Sequence, residues 1–181
     1  MLYVCRAAAT TAAGVITMRA LLLLLLLSCV LTHLSRAANC EPAQPMTPLL
    51  YSADYATADR ICCHNSHYAE RSGYLQTVNF FEQLDPSTVT IFYDSVCGIP
   101  LFRAPVGRSF AEWEEESTSH GWPSFRSAET LQQNTQVLPN GEILSTCGAH
   151  LGHNLPDSAG DRYCINLVCI AGSRKDDHHE L

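Results

Sequence analysis

Lysine is nearly absent from this 181-residue chain: the only one, Lys175, stands close to the C-terminus. No cluster of Lys and Arg occurs anywhere, and the formal charge is -7. A phosphate backbone is bound by a basic patch, so a nucleic-acid surface is excluded. There is no Asn-x-Ser/Thr sequon, so glycosylation offers no surface marker. Internal repeats are missing as well, and helical periodicity is scarce. What is present is a chain with 46% hydrophobic and 16% charged residues, enough apolar surface for one domain with a buried core.

The two ends read as targeting. Arg6 and Arg19 precede an unbroken leucine run, Leu21 to Leu27, and Ser35-Arg36-Ala37 offers the small residues a signal peptidase reads. Residues 1–37 are therefore expected to be a secretory signal or upstream extension, with an uncleaved membrane anchor as the alternative. The C-terminal His178-His179-Glu180-Leu181 resembles an endoplasmic-reticulum retrieval signal. Together these place the protein in the lumen of that compartment, with residues 173–181 as a polar tail. Residues 38–60, rich in Pro and Ala, read as an extended lead-in to a domain over 61–172.

In an oxidising lumen the seven cysteines beyond the signal are informative: Cys40, Cys62, Cys63, Cys97, Cys147, Cys164 and Cys169. An odd number leaves at least one thiol free or in turnover. Adjacent Cys62 and Cys63 would need a strained ring to bond each other, so separate partners are expected. The body has several short strand-like runs joined by Gly/Pro turns. Thr88 to Tyr93 is β-branched and aromatic, Ile99 to Phe102 is a second apolar run, and Val137 to Leu144 reads as a hairpin around Asn140-Gly141. Tyr74 to Phe81 suits helix or strand. Ser109 to Ser119 has helical character, with Ser109 as N-cap and Glu112, Glu114, Glu115 and Glu116 on a solvated face. The fold class is mainly β.

Chemistry concentrates near the C-terminus, where His150, His153, Arg162, Cys164 and Asn166 fall within 17 residues. On an extended strand Arg162, Cys164 and Asn166 share one face, with Tyr163 and Ile165 on the other. A thiol between a cation and an amide is a place to stabilise a thiolate. The short Pro156 to Gly160 turn can return the histidine segment antiparallel against the thiol strand. Metal binding, hydrolysis and redox chemistry all remain compatible with such a cluster.

Four motifs follow one another in order, Gly121-Trp122-Pro123-Ser124-Phe125, Cys147-Gly148-Ala149-His150-Leu151-Gly152-His153, Pro156-Asp157 and Arg162-Tyr163-Cys164-Ile165-Asn166, with Arg71-Ser72-Gly73-Tyr74-Leu75 and Cys97-Gly98-Ile99-Pro100-Leu101-Phe102 upstream. Over about residues 68–170 they resemble the methionine-R-sulfoxide reductases, the MsrB or SelR family. The resemblance implies two small antiparallel sheets with a few short helices. It implies that Cys164 attacks the sulfoxide sulfur and becomes a sulfenic acid, with Arg162 holding the thiolate. His150, His153 and Asn166 would handle the departing oxygen, Trp122 and Phe125 would bind substrate, and Asp157 would orient. The substrate implied is oxidised methionine, free or in proteins, and the reductant an external dithiol such as thioredoxin.

The chain also departs from that family. Asp94 and Leu144 stand where the first cysteine of each CxxC pair holds a structural zinc, so no metal is expected. The resemblance places Cys97 beside Cys147, and a disulfide there would close a loop worth about 3 to 4 kcal/mol. His120 stands where a resolving cysteine is common. Cys169, at an odd offset from Cys164, is a poor direct partner, which leaves Cys62 or Cys63 as resolving thiol, or an external reductant. The turn before Arg162 is short and Leu167 replaces a small polar residue. Two alternatives therefore stand beside the reductase: a thiol-disulfide exchange factor, and a catalytically weak module that binds oxidised methionine.

Overall fold

The computed structural model describes residues 43–64 and 69–174. The expected signal and the His178 to Leu181 tail lie outside them. Among the described residues no helix is long and apolar enough to cross a membrane.

The strands are β1 (Thr90–Tyr93), β2 (Pro100–Ala104), β3 (Ser124–Arg126), β4 (Thr135–Val137), β5 (Glu142–Ser145), β6 (His150–Asn154) and β7 (Arg162–Ile165). They form two antiparallel sheets, β1-β2 and β3-β7-β6-β5-β4. With three short α-helices among the described residues, α1 (Tyr55–Ala58), α2 (Tyr74–Thr77) and α3 (Phe110–His120), this is the mainly β architecture that the residue pattern implies. The ambiguous Tyr74 to Phe81 stretch is α2 followed by the start of a 3-10 turn, Phe81–Gln83.

Helix α3 has a complete capping box: the Ser109 hydroxyl accepts from Glu112 N and the Glu112 carboxylate accepts from Ser109 N. It inserts Trp113 among Phe80, Phe81, Phe92 and Phe125, with ring centroids 4.9 to 6.1 Å away. Phe92 belongs to the small sheet and Phe125 to the large one, so this aromatic cluster joins both. Burying side chains of this size contributes about 3 to 5 kcal/mol each on truncation to alanine. The acidic run is not wholly solvated, because Glu116 pairs with Arg108 and Arg126.

The lead-in is not extended to residue 60. Asp54 accepts a 2.8 Å bond from Thr57 N and starts α1, which runs into a π-helical turn, Asp59–Cys63. A single N-cap aspartate starts this helix, and the surrounding Pro/Ala-rich sequence lacks periodicity to announce it. The segment is fastened to the end of the domain by Leu50 N to Ala171 O, 2.7 Å, and by the Cys62–Cys169 disulfide.

A second disulfide, Cys97–Cys147, spans 50 residues and ties the β1-β2 turn to the β5-β6 turn. Loop closure of that length contributes about 3 to 4 kcal/mol. The double substitution Cys97→Ser/Cys147→Ser is expected to lower unfolding free energy in urea by about that amount, with the disulfide-intact protein as reference.

Candidate functional site

Cys164 lies on β7, where Arg162 and Cys164 are half-buried while Tyr163 and Ile165 are buried. Strand pairing places His153 directly opposite Cys164, and Glu142 directly opposite His153. Opposed residues on an antiparallel ladder share a face with Cβ atoms about 5 Å apart, so the three form a row across β5, β6 and β7. Gly152 makes this approach feasible: a Cβ there would lie 2.0 Å from Cys164 O and 2.9 Å from Ile165 Cα.

By simple alternation His150 would face away from His153. Strand β6 carries one extra residue against β5, however: Leu144 pairs with His150, whereas Ile143 pairs with Gly152. This bulge reverses the parity and brings the two imidazoles to 5.4 Å between centroids. His150 is buried, its Nδ1 3.0 Å from Glu142 Oε1. A carboxylate oxygen accepts in such a contact, so His150 Nδ1–H is the donor.

A cleft of about 220 Å³ opens over the thiol. Cys164, His153 and Asn166 supply its polar edge; Trp122, Leu155, Ala69 and Gly152 supply an apolar wall. The indole is fixed by a 3.1 Å bond from Trp122 Nε1 to the carbonyl of Glu70. Phe125, expected to bind substrate, is fully buried and stacks on Phe102 at 4.5 Å. It belongs to the core, because it alternates with Ser124 and Arg126 on β3 and points into the aromatic cluster. Asn166 does line the cleft, but its Oδ1 accepts from Glu70 N at 3.0 Å and its Nδ2 donates to Leu151 O at 3.1 Å. Its side chain is thus partly committed to holding the backbone.

Burial is the largest influence on the Cys164 thiol and pushes its pKa up. Arg162 opposes this by charge and hydrogen bonding, while the Glu70 charge reinforces it. The sign differs from the thiolate-stabilising site expected of the strand pattern, because desolvation outweighs one neighbouring cation. Arg162 is the end of a chain of alternating charges: Glu129 pairs with Arg108, Arg108 with Glu116, Glu116 with Arg126, Arg126 with Asp157, and Asp157 with Arg162 Nε at 3.5 Å. The Arg126 hydrogen bonds hold the Asp157 carboxyl down to about 2. Arg162 Nε, facing Asp157 at 3.5 Å, and Nη1 are buried without a hydrogen bond among the described residues, so the guanidinium acts here through its charge and its position beside the thiol.

Cys164 is the free cysteine of the described region. Cys62, expected as a resolving thiol, is bonded to Cys169, and Cys63 is disulfide-bonded too. Neither offers a thiol to Cys164 in this state, because each sulfur already has its covalent partner. Asp94, Cys97 and Cys147 bring ligand-type atoms within 4.8 Å of one another. As a disulfide, Cys97 and Cys147 are not thiolates and do not fit a zinc ion. Reduced, they and the buried Asp94 would supply three donors, one short of a closed tetrahedral set. A second cleft, lined by Gln76, Asn79, Phe81, Glu82, Glu114 and Thr118, carries neither thiol nor imidazole.

Two residues of the site escape a reading of the sequence. Glu142 follows the Asn-Gly turn in the strand that must pair with the histidine strand, so the hairpin was its signal. Glu70 sits 94 residues before Cys164, and nothing local marks it.

Residues 78–173 match the family model described as the SelR domain. The chain is 33% identical over 100 residues to a protein of Leifsonia xyli subsp. xyli named peptide methionine sulfoxide reductase MsrB, covering 49% of this chain and 66% of that one. Proteins of the same name from Pseudomonas putida (strain W619) and Pseudomonas fluorescens (strain Pf0-1) are 42% and 41% identical over 81 residues, 43% of this chain in each case. The chain spans 49% and 50% of the length of those two. With more than half of its residues inside the SelR domain, and with the matched region holding the Trp122, His150, His153, Arg162 and Cys164 constellation, this chain belongs to the SelR (MsrB) family.

Proposed function

We propose that this chain reduces methionine-R-sulfoxide to methionine with Cys164 as nucleophile. The observation that carries the reading is a free thiol in an apolar cleft, beside the Trp122 indole and opposite the His153 imidazole. The indole suits the substrate's methyl group, and the cleft suits a thioether. Cys164 gives up its proton and its sulfur attacks the sulfoxide sulfur. The sulfur-oxygen bond of the substrate breaks, oxygen passes to Cys164 as a sulfenic acid, and the thioether leaves. His153 lies across the ladder in reach of that oxygen, and the His150–Glu142 pair beside it supports the proton transfer.

The sulfenic acid then needs two thiols. The first forms a mixed disulfide with Cys164 and releases water; the second displaces it and restores the Cys164 thiol. With Cys62, Cys63, Cys97, Cys147 and Cys169 all in disulfides, an external dithiol such as a thioredoxin-like protein is the reductant we propose. Separated R and S sulfoxides of a methionine peptide, supplied with dithiothreitol, test this. R-only turnover, lost by at least about a thousandfold in Cys164→Ser, is expected. Sulfoxide binding without turnover would favour a binding module, and turnover of protein disulfides in its place an exchange factor.

We further propose that the Cys97–Cys147 disulfide takes the place of a structural zinc, with the single Asp94 carboxylate unable to complete a metal site. Metal analysis of protein purified without chelator or reductant is expected to find zinc well below one ion per chain; a stoichiometric content accompanied by two free thiols overturns this. The compartment we propose is the endoplasmic-reticulum lumen. The leucine run, the C-terminal His-His-Glu-Leu and the disulfides support it. Removing His178 to Leu181 should divert the expressed protein to the medium, whereas unchanged retention would sink the retrieval reading.

A further inference from the structure

Beneath the cleft lies a carboxylate that no step above uses. Glu70 is 3% exposed, and its carboxylate is held by main-chain N–H groups: Oε1 accepts from Leu167 at 2.7 Å and Oε2 from Val168 at 3.1 Å. These two groups open the 3-10 turn, Leu167–Cys169, that follows the catalytic strand. A carboxylate facing the unsatisfied N–H groups at the start of a helical turn is well placed electrostatically. The main chain of Glu70 is used as well. Its N–H donates to Asn166 Oδ1 at 3.0 Å and its carbonyl accepts from Trp122 Nε1 at 3.1 Å. Its neighbour Ala69 lines the cleft. One residue therefore holds the indole wall, the carboxamide and the turn after Cys164, and it lies outside the matched residues 78–173.

We propose that Glu70 is a positioning residue of this site: its main chain fixes Trp122 and Asn166 around the cleft, and its carboxylate fixes the turn that follows Cys164 and with it the surroundings of the thiol. Among the described residues the charged and titratable groups around the thiol come from several elements. Arg162 comes from the same strand, backed by Asp157; His153 from β6, with the His150–Glu142 pair beside it; and Glu70 from the N-terminal side; Ser124 on β3 does not titrate. Arg162 favours the thiolate, and Glu70 opposes it. Burial raises the carboxyl of Glu70 itself to about 7, so its charge is largely present at pH 8.

The kinetic arm of the test rests on the reductase reading, whereas the thiol arm does not. In the full chain, Glu70→Gln keeps one acceptor but sets an amide N–H against a main-chain N–H, and it removes the charge. Alkylation of Cys164 by iodoacetamide at pH 8 is expected to run about threefold faster or more, with KM for R-sulfoxide up about tenfold and kcat less affected. Glu70→Asp keeps the charge but shortens the reach. It should raise KM while leaving the alkylation rate within about twofold. Unchanged alkylation in Glu70→Gln, or equal acceleration in both variants, overturns the proposal. Should Glu70→Gln fail to fold, an unchanged KM in Glu70→Asp overturns it alone. If the unmodified protein does not reduce the R epimer, the reductase reading falls, and the alkylation rates still decide the role of Glu70.

Discussion

The site depends on the close approach of β6 and β7 at Gly152. A side chain there would run into the backbone of Cys164, so the ladder that sets His153 against the thiol exists only because position 152 has none. From that register follow the row Glu142, His153 and Cys164, and, through a one-residue bulge, the arrival of His150 on the same side. Short strands alone would make a loose platform. The disulfide between Cys97 and Cys147 and the aromatic cluster around Trp113 hold the two sheets together behind it.

The electrostatics of the thiol are a contest that burial wins. Desolvation disfavours the thiolate, and Arg162 offsets only part of it. Arg162 is itself held by a file of alternating charges that starts at the fully buried Glu129. Such a file contributes little net stability, because its desolvation opposes its Coulombic gain, but it fixes where the guanidinium stands. On the proposed reductase reading, a thiol whose ionisation burial disfavours suits a substrate that brings its own proton acceptor, the sulfoxide oxygen. The same burial shields Cys164 from indiscriminate oxidation.

Family membership covers less than the working site. The matched residues 78–173 contain the free thiol, the imidazoles and the indole, yet Glu70 and the Cys62 bridge enter from the segment before them. That segment is pinned to the end of the domain by covalent and main-chain bonds. What orients Trp122 and Asn166 thus comes from Glu70, eight residues ahead of the matched family model.

Much of this protein was legible in its sequence because the signals were local. β-branched runs marked β1, an Asn-Gly turn marked the β4-β5 hairpin, and Ser109 with Glu112 marked the start of α3. Parity on one strand put Arg162 beside Cys164. Other features were settled only in three dimensions. Phe125 left the substrate wall for the core, since the partner across β3 decides which face is buried. Asn166 turned out to be tied to Glu70 across 96 residues, and Cys62 to Cys169 across 107. The thiol's proton affinity reversed its expected direction, because desolvation is a property of the packed surroundings and not of neighbours along the chain. Sequence by itself determined most of the strands, the cluster around Cys164 and the family; tertiary structure decided the bulge, the partners and the sign of the electrostatics, because each depends on residues brought together from distant parts of the chain.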